Sequence, residues 1–347
     1  MKKIVTLILT CLLALSLAAC AAKPTGPDIV QLAKDSGKIQ YYFMTGDGAI
    51  VSDDKYRTRW GDSCLVAFPN GETMLIDTGV QGFYPILKQS LYDLHITKLD
   101  HVVLTHPHND HMGGVQKGLL TDFQVGHVYY NGRENTAWET TVAALCEKAN
   151  VPLTVWKAGD EAQFGEENPV KLKVLWPTEE AMEQLKDLNT VASINSSSIV
   201  LRLEYGEHSS LFTGDIYQCR NSKNLKYQVD NFDGAEELLL SSWQREYLDV
   251  DLLKLAHHGN PQTSNSMYFI NAVTPETAVA TSYEAVGVYL SFYESRGLTC
   301  PVYFDRINGN IHIQAGLDGT MDTAVERTDY LEGFASNWVD MEKNKEA

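Results

Sequence analysis

Short apolar runs bounded by turn residues dominate the first half of the chain. Residues 39–43, 64–68 and 73–77 have the composition of strands, and the turn sequence Pro69-Asn70-Gly71-Glu72 predicts a hairpin between the last two. Apolar residues recur at helical spacing in segment 83–94, which predicts a helix. The other elements predicted here are strands at 101–104, 125–130, 153–156 and 172–176 and a helix at 136–150.

The second half of the chain repeats this alternation of strands and helices. Residues 199–205 and 209–213 predict another hairpin across Gly206-Glu207, and we interpret the polar segment 217–234 as an insertion. Strands that come in two batches, with helices between them, favour an α/β fold of two facing sheets flanked by helices. The remaining predicted elements are helices at 235–247 and 284–296 and strands at 252–255, 277–280, 302–304 and 311–314.

The first residues have the pattern of a secretory signal. Lys2 and Lys3 precede an apolar run at residues 4–17, which is short for a membrane span, and the run ends in Leu17-Ala18-Ala19-Cys20. This ending resembles the bacterial lipobox, in which the cysteine receives a diacylglycerol; ordinary cleavage with an unmodified Cys20 is the alternative. We therefore expect a lipoprotein signal peptide over 1–19, and a protein held through Cys20 on the extracellular face of the bacterial cytoplasmic membrane.

Composition limits the partners of the mature chain. The 347 residues are 44% hydrophobic, which is enough for one large domain. Without Lys2 and Lys3 the chain carries 26 basic and 45 acidic residues, a net charge of −19. This charge disfavours stable nucleic-acid binding but permits cleavage of a phosphodiester held by metals. No protein partner can be deduced. We expect a tether over 20–37, one folded domain over 38–322 and an acidic tail over 323–347.

One short segment carries the main chemical signal, Thr105-His106-Pro107-His108-Asn109-Asp110-His111-Met112-Gly113-Gly114. His106 and His108 are two residues apart after a buried strand, so extended backbone directs both rings to one side, where they can share a metal. Asp110 and His111 are adjacent and must diverge, which suits a second metal. Imidazole and carboxylate ligands indicate divalent ions, with zinc preferred and manganese or iron as alternatives. A histidine-rich surface loop is the competing interpretation.

Two later segments supply further ligands. Asp215 follows Leu211-Phe212-Thr213-Gly214 at a strand end, where its carboxylate can bridge two cations; a turn or a helix cap is the alternative. His257 and His258 follow another buried strand. One of them can bind metal while the other donates a proton or binds substrate, although a pair of core histidines would give the same pattern.

These segments resemble the metallo-β-lactamase fold, whose HxHxDH signature the first motif matches. The pattern is most similar to the hydrolase domain of ComEC-type competence proteins, and the similarity covers about residues 38–318. It implies an αββα four-layer sandwich with the metals at one edge between the sheets. The matching segments are Gly61-Asp62-Ser63, Met74-Leu75-Ile76-Asp77-Thr78-Gly79, Phe212-Thr213-Gly214-Asp215 and the stretches 195–201, 253–260 and 308–313.

The chain departs from the wider fold at one metal ligand. Many members have a further histidine between the HxHxDH motif and the bridging aspartate. Here that interval holds only His127, which opens a predicted strand, and His208, which lies in a predicted hairpin turn. Asn195 is the local candidate in its place. The first metal is therefore expected to have fewer protein ligands and to bind more weakly.

These considerations assign roles to ten side chains. The first metal is assigned to His106, His108 and Asp215. The second metal is assigned to Asp110, His111, Asp215 and His257, with Asp110 also counted as catalytic. His258 is the candidate for protonating the leaving group. Asp77 is expected to orient a ligand without binding metal, while Asn195 and Ser197 are expected either to contact substrate oxygens or to form a buried turn.

A two-metal site of this kind activates water for hydrolysis of an ester-like bond, most naturally a phosphodiester. Two alternatives remain, namely an esterase acting on cell-wall polymers or phosphorylcholine, and a binding lipoprotein that keeps the fold without catalysis. Aromatic residues that could line a substrate pocket, or equally belong to the core, are Tyr129, Tyr130, Trp138 and Tyr283.

Overall fold

The computed structural model describes residues 24–46, 61–134, 140–218, 234–260, 263–281 and 300–328. Within these ranges the chain forms fifteen strands. They are β1 (Ile39–Phe43), β2 (Cys64–Ala67), β3 (Thr73–Ile76), β4 (Lys98–Leu104), β5 (Gln124–Tyr130), β6 (Leu153–Val155), β7 (Glu161–Phe164), β8 (Val170–Trp176), β9 (Val200–Tyr205), β10 (His208–Phe212), β11 (Leu252–Lys254), β12 (Thr277–Ala280), β13 (Val302–Phe304), β14 (Ile311–Ala315) and β15 (Met321–Val325).

The strands form two sheets that pack face to face. The described strands of the first sheet run in the order β15-β14-β1-β2-β3-β4-β5-β6, and those of the second in the order β13-β12-β11-β10-β9-β8-β7. Tyr41 and Val66 of the first sheet share a buried core with Leu201 and Phe212 of the second. Because side chains alternate along a strand, the neighbouring Leu65 faces away from this core toward the helices. Strands buried on both faces explain the continuous apolar runs in the sequence.

Helices cover the outer face of each sheet. Those over the first sheet are α1 (Ile29–Ser36), α2 (Tyr84–Asp93), α3 (Asn109–Lys117), α4 (Leu119–Asp122) and α5 (Val142–Ala149). The other α-helices of the described ranges are α6 (Glu179–Leu185), α7 (Val191–Ser196), α8 (Ala235–Ser242), α9 (Arg245–Leu248), α10 (Met267–Val273) and α11 (Asp305–Asn308). Four of them, α6, α8, α9 and α10, contribute buried residues to the core over the second sheet. The four layers confirm the predicted αββα sandwich.

Both predicted hairpins are present, and one predicted helix is divided. β2 pairs antiparallel with β3, and β9 pairs antiparallel with β10 across Gly206, whose φ of 61° suits glycine. The helix predicted over 235–247 ends at Ser242 and a second one begins at Arg245. Between them Trp243 is extended, and its indole Nε1 donates to the Leu175 carbonyl at 2.7 Å, which holds the break in place.

The packed domain is longer than predicted at both ends. Helix α1 lies inside the segment expected to be a tether; Asp28 caps it by accepting from the Gln31 amide at 3.0 Å, and Ile29 and Ala33 are fully buried. At the other end β15 continues past residue 322. The signal peptide, Cys20, Trp138, Tyr283, helix 284–296 and most of segment 217–234 lie outside the described residues.

Two further structural facts concern cysteines and helix length. Cys64 and Cys146 are buried with free thiols, and Cys300 is also buried. Cys219 lies outside the described residues. Among the helices in the described ranges, none has both the length and the apolar character needed to cross a bilayer.

The paired glycines of the histidine motif allow α3 to pack closely on the loop after β3. A Cβ on Gly113 would lie 2.6 Å from the Gly79 carbonyl oxygen and would also clash with the Gln81 amide, both of them backbone atoms. Gly114 is similarly close to Thr78. The absence of side chains at Gly113 and Gly114 therefore permits this close approach of the helix.

We predict that Gly113→Ala destabilises the protein although alanine is the better helix former. The propensity gain is about 1 kcal/mol, whereas forcing a methyl group against backbone costs about 1–3 kcal/mol or more. Urea unfolding measures the change. Lys117→Ala, at an exposed position of the same helix, is the control and is expected to stay within about 0.5 kcal/mol. An unchanged or raised stability for Gly113→Ala would contradict this account of the packing.

Candidate metal centre

Four chain segments that follow strand ends converge at one edge between the sheets. Asp77 follows β3 and His106 follows β4, two parallel neighbours in the first sheet. Asp215 follows β10 and His257 follows β11, two parallel neighbours in the second sheet. Because the carboxyl ends of parallel neighbours lie at the same sheet edge, the pairing brings these polar segments together at the mouth of the sandwich.

Asp215 lies at the centre of this edge. Its Oδ2 atom is 3.2 Å from His111 Nε2, 3.5 Å from His258 Nε2, 3.8 Å from His257 Nε2 and 3.9 Å from His106 Nε2. The residue is 1% exposed, and Oδ1 has no hydrogen-bond partner among the described atoms. One buried carboxylate therefore faces nitrogens from two groups of histidines, those that follow β4 and those that follow β11.

His106 and His108 present nitrogens to a common point. His108 has extended backbone (φ −88°, ψ 153°) immediately before α3, and its Nδ1 lies 3.0 Å from His106 Nε2. The sequence expectation that the two rings share one side agrees with this placement. These facing nitrogens are the atoms between which a cation could be held.

Asp77 orients two of the histidines. It accepts hydrogen bonds from His111 Nδ1, from the Thr105 amide and from the Thr105 hydroxyl, each at 2.8 Å. Since the Thr105 hydroxyl donates to Asp77, it accepts from His106 Nδ1, which is 3.2 Å away. Asp77 thus directs the Nε2 atom of His111, and through Thr105 that of His106, toward Asp215. This carboxylate–histidine arrangement is typical of metal sites.

His257 and His258 occupy a tight turn and point to different neighbours. Both have left-handed backbone, with φ of 49° and 56°, a conformation that costs about 1–2 kcal/mol for each such residue. His258 is 6% exposed, and its Nε2 lies 3.3 Å from Asp110 Oδ2. The His257 side chain is 19% exposed, and its Nδ1 is 2.6 Å from Thr263 Oγ1. His258 is therefore the more deeply placed of the two.

Asp62 is a member of the site that received no role from the sequence. Its Oδ1 lies 3.0 Å from His258 Nδ1, and it also contacts the Thr281 hydroxyl and the Lys254 ammonium. Ligand atoms of Asp62, His111, Asp215 and His258 all lie within 4.8 Å of one another, and all four residues are buried. The available signal was Lys254 itself, because a lysine inside an apolar strand needs a buried carboxylate partner.

The charges of this cluster depend on one another. Burial alone would raise the pKa of Asp215, but His111 and His258 lower it well below its usual value. Burial would likewise raise the pKa of Asp110, which a hydrogen bond from His258 lowers to about 2. In return Asp215 and Asp62 overcome burial and raise the pKa of His258 to about 10. Without metal, the buried carboxylates are balanced by protons on histidines.

This balance fits a metal site. A divalent cation would replace the histidine protons and satisfy His111 Nε2 and Asp215 Oδ1, two buried atoms with no hydrogen-bond partner among the described residues. The donor set of imidazole and carboxylate matches zinc, iron or manganese. The described residues therefore fit divalent metal on chemistry as well as on position.

Asn195 and Ser197 lie on and beside α7, next to this site. Asn195 is 1% exposed, and among the described residues neither of its amide atoms has a hydrogen-bond partner with good geometry. Burial lowers the pKa of His108, and the Asn195 side chain that faces it opposes this lowering. The Ser197 hydroxyl donates to the Ile194 carbonyl at 2.7 Å, as in the buried-turn alternative. Ser198, which the sequence did not single out, accepts from the Asp215 amide at 3.0 Å.

The two other histidines considered as metal ligands are engaged elsewhere. His127 Nε2 lies 2.7 Å from the Thr154 hydroxyl. His208 is buried, with Nε2 at 3.1 Å from the Tyr41 hydroxyl and Nδ1 at 3.5 Å from an Asp251 oxygen. Neither belongs to the cluster around Asp215, so no third histidine joins His106 and His108 among the described residues.

A four-layer αββα sandwich with histidines and aspartates at the sheet edge defines a class of metal-binding α/β proteins. The family model of the Metallo-beta-lactamase superfamily matches residues 57–257. The chain belongs to this superfamily, and its site has the character of a metal-dependent hydrolase.

Individual relatives agree with this assignment. The chain is 27% identical over 240 residues to ComE operon protein 3 of Bacillus subtilis (strain 168), covering 64% of the chain and 27% of that protein. It is 28% identical over 245 residues to Competence protein ComA of Neisseria gonorrhoeae, covering 67% and 28%. The matches thus span about a quarter of the length of these relatives. The predicted resemblance to ComEC-type hydrolase domains is confirmed.

Two shorter or more distant similarities complete the comparison. An 86-residue stretch, 24% of the chain and 30% of the relative, is 35% identical to Anti-Pycsar protein Apyc1 of Bacillus phage vB_BsuM-Goe3. Among solved structures, the metallo-beta-lactamase fold protein YhfI of Bacillus subtilis aligns with a TM-score of 0.43 and 10% identity, covering 83% of the chain and 99% of YhfI.

We predict that Lys254→Met strongly destabilises the metal-free protein. The change leaves Asp62 buried without its ammonium partner, and breaking such a pair costs about 3–5 kcal/mol. The double variant Asp62→Asn/Lys254→Met removes both charges and is expected to recover part of this loss. Chemical denaturation in the presence of a chelator measures each step.

Lys98→Met is the matched control. Lys98 pairs with Asp100, but its side chain is 52% exposed, and exposed pairs contribute only about 0–1 kcal/mol. If Lys254→Met loses no more stability than Lys98→Met, the buried pair of Lys254 and Asp62 does not stabilise the fold as its burial predicts.

Proposed function

We propose that this protein is an extracellular phosphodiesterase that uses two divalent metal ions. The observation that carries the proposal is the position of Asp215, whose single buried oxygen lies within 3.9 Å of four histidine nitrogens that belong to two groups of ligands. A bridging carboxylate is the element that distinguishes a two-metal site from two separate sites.

The geometry favours one change in the assignment of ligands. His106, His108 and Asp215 would hold the first ion, as expected from the sequence. Asp110, His111, Asp215 and His258 would hold the second. His258 takes the place proposed for His257, because Asp62 fixes its Nδ1 and leaves Nε2 facing Asp110 and Asp215. Zinc is the preferred metal, with manganese or iron as alternatives.

Metal ions bound here would polarise the ester and lower the pKa of water to about 7. The protein contributes position and proton control. Asp77 and Asp62 contact the Nδ1 atoms of His111 and His258, so that the Nε2 atom of each ring faces Asp215 and could bind a metal ion. His257, with its more exposed ring, is placed to contact the substrate or its leaving group. The buried Asn195 amide is placed to contact a substrate oxygen.

Local charge favours an anionic diester. Two divalent ions and Lys254 would together carry five positive charges. The carboxylates of Asp62, Asp77, Asp110 and Asp215 carry four negative charges. With both ions bound, the site therefore has a net positive charge, within a chain whose net charge is −17. Field reversal of this kind would draw a phosphodiester to the edge while the rest of the surface repels polyanions.

We predict that purified protein binds divalent metal and hydrolyses bis-p-nitrophenyl phosphate. His258→Ala should lower kcat/KM by at least about 100-fold, since losing a ligand should exceed the 10- to 100-fold loss typical of losing a ligand's orienting partner. His257→Ala should lose less. His127→Ala, a histidine outside the cluster, should match wild type.

Single-stranded DNA, p-nitrophenyl phosphorylcholine and a β-lactam are assayed in parallel. Turnover of the phosphorylcholine ester alone would favour the esterase alternative. If metal-loaded protein turns over none of these substrates, while Asp110→Ala and His257→Ala bind a ligand as well as wild type, the protein is a binding lipoprotein and the enzymatic proposal is wrong.

We further propose that the enzyme acts at the membrane surface, held by lipid on Cys20. The support is the pattern Leu17-Ala18-Ala19-Cys20 after an apolar run. Acyl chains bind membranes through burial of methylenes at about 0.8 kcal/mol each. We predict that mature wild-type protein sediments with membranes and that Cys20→Ser is released in soluble form. Equal distribution of the two proteins between fractions would contradict the anchor.

A further inference from the structure

A short segment beside the metal centre forms hydrogen bonds with the turn that carries His257 and His258. The Asn265 side chain accepts from the Ala256 amide at 2.9 Å and donates to the Ala256 carbonyl at 2.8 Å, so that it holds both polar groups of the residue before His257. Two residues earlier, Thr263 Oγ1 lies 2.6 Å from His257 Nδ1. We call Thr263-Ser264-Asn265 the clasp.

The clasp also holds the loop that carries Asp215. The Ser264 hydroxyl donates to the carbonyl of Ile216, the residue after Asp215, at 2.7 Å. The Thr263 carbonyl accepts from the Gln218 amide, also at 2.7 Å. The two loops that bring Asp215 and His258 to the centre are thus tied to one three-residue segment as well as to each other.

Glu236, a buried acid away from the cluster, anchors the clasp. It is 1% exposed and accepts hydrogen bonds from the Asn265 amide and, at 3.0 Å, from the Ser266 amide. Its own amide donates to the Tyr217 carbonyl at 3.0 Å. Asn265 has left-handed backbone, with φ of 61°, and these contacts hold it there. Glu236 therefore fixes the clasp from the side opposite the histidines.

We propose that Asn265 is a positioning residue of the metal centre. It sets the distance between the ligand atoms of His258 and Asp215 by fixing Ala256, the residue before His257, to the clasp, which also holds the Asp215 loop through Ser264 and Thr263. This inference rests on the proposed two-metal function. Among the described residues the Asn265 side chain forms hydrogen bonds only to the backbone of Ala256, so the proposed role is to position ligands and not to bind metal. Its effect comes from holding two successive left-handed histidines, which would otherwise relax toward ordinary backbone conformations and move His258 Nε2 from its position 3.5 Å from Asp215 Oδ2.

The test measures metal affinity rather than turnover. Full-length Asn265→Ala and wild type are titrated with Zn²⁺ against a chromogenic chelator, and the visible absorption of their Co²⁺ forms is compared. Asn265→Ala is expected to bind Zn²⁺ about tenfold more weakly or worse, as for other residues that orient ligands. Its Co²⁺ spectrum is expected to shift, because the coordination geometry changes.

Asn150→Ala is the matched control. Asn150 also has left-handed backbone, with φ of 54°, but it ends helix α5 on the far side of the first sheet. It should lose thermal stability like Asn265→Ala while keeping wild-type Zn²⁺ affinity and Co²⁺ spectrum. Should Asn265→Ala fail to fold, Ser264→Ala replaces it; this variant removes only the bond to Ile216 and is expected to weaken Zn²⁺ binding by a smaller, measurable factor.

The outcomes separate this inference from the proposed function. If wild type itself binds no Zn²⁺, the two-metal proposal fails and the role of Asn265 fails with it. If wild type binds Zn²⁺ and the folded clasp variants keep its affinity and spectrum, the clasp is only structural and the inference alone is overturned. A weaker affinity and shifted spectrum in the clasp variants, but not in Asn150→Ala, would support it.

Discussion

The convergence of buried carboxylates at one sheet edge is the constraint on which the rest of the structure depends. A carboxylate removed from water is strongly destabilising unless positive charge or hydrogen-bond donors meet it. Asp62 meets Lys254 and His258, and Asp77 meets His111 and Thr105. Asp215 is met by histidines that must themselves hold protons when metal is absent. The fold thus stores negative charge that only cations can fully satisfy.

The backbone around the site follows from this constraint. Helix α3 starts inside the histidine motif, so its glycines must pack against the loop after β3 to bring Asp110 and His111 inward. The turn after β11 takes up left-handed conformations to aim its two histidines differently. These arrangements are unfavourable locally, and the packing of the two sheets and the contacts of neighbouring segments compensate for them.

The sequence predicted most of the fold because strands buried on both faces leave a strong apolar signal. It also predicted which strand ends carry chemistry, since His106, Asp215 and His257 each follow such a run. The sequence predicted less where the role of a residue depends on backbone angles or on contacts between distant segments. Which of two adjacent histidines points inward depends on two positive φ angles, and the role of Asp62 depends on Lys254, nearly 200 residues away. Helix α1 was missed although Asp28 before it and Gly37 after it are sequence signals of helix ends, because the segment was interpreted as a tether from its position next to Cys20.

The two halves of the centre are not equally supported. On the second half, His111 and His258 are each oriented by a separate carboxylate, Asp77 or Asp62. On the first half, His106 reaches Asp77 only through Thr105, and among the described residues His108 has no carboxylate within ion-pair distance. The residue that faces His108 on this side is Asn195, an amide without charge. Orienting partners strengthen metal binding, so we expect the first ion to bind more weakly. Because burial lowers the pKa values of His106 and His108, this half carries little positive charge without its ion, and loading it would strengthen the attraction for an anionic substrate.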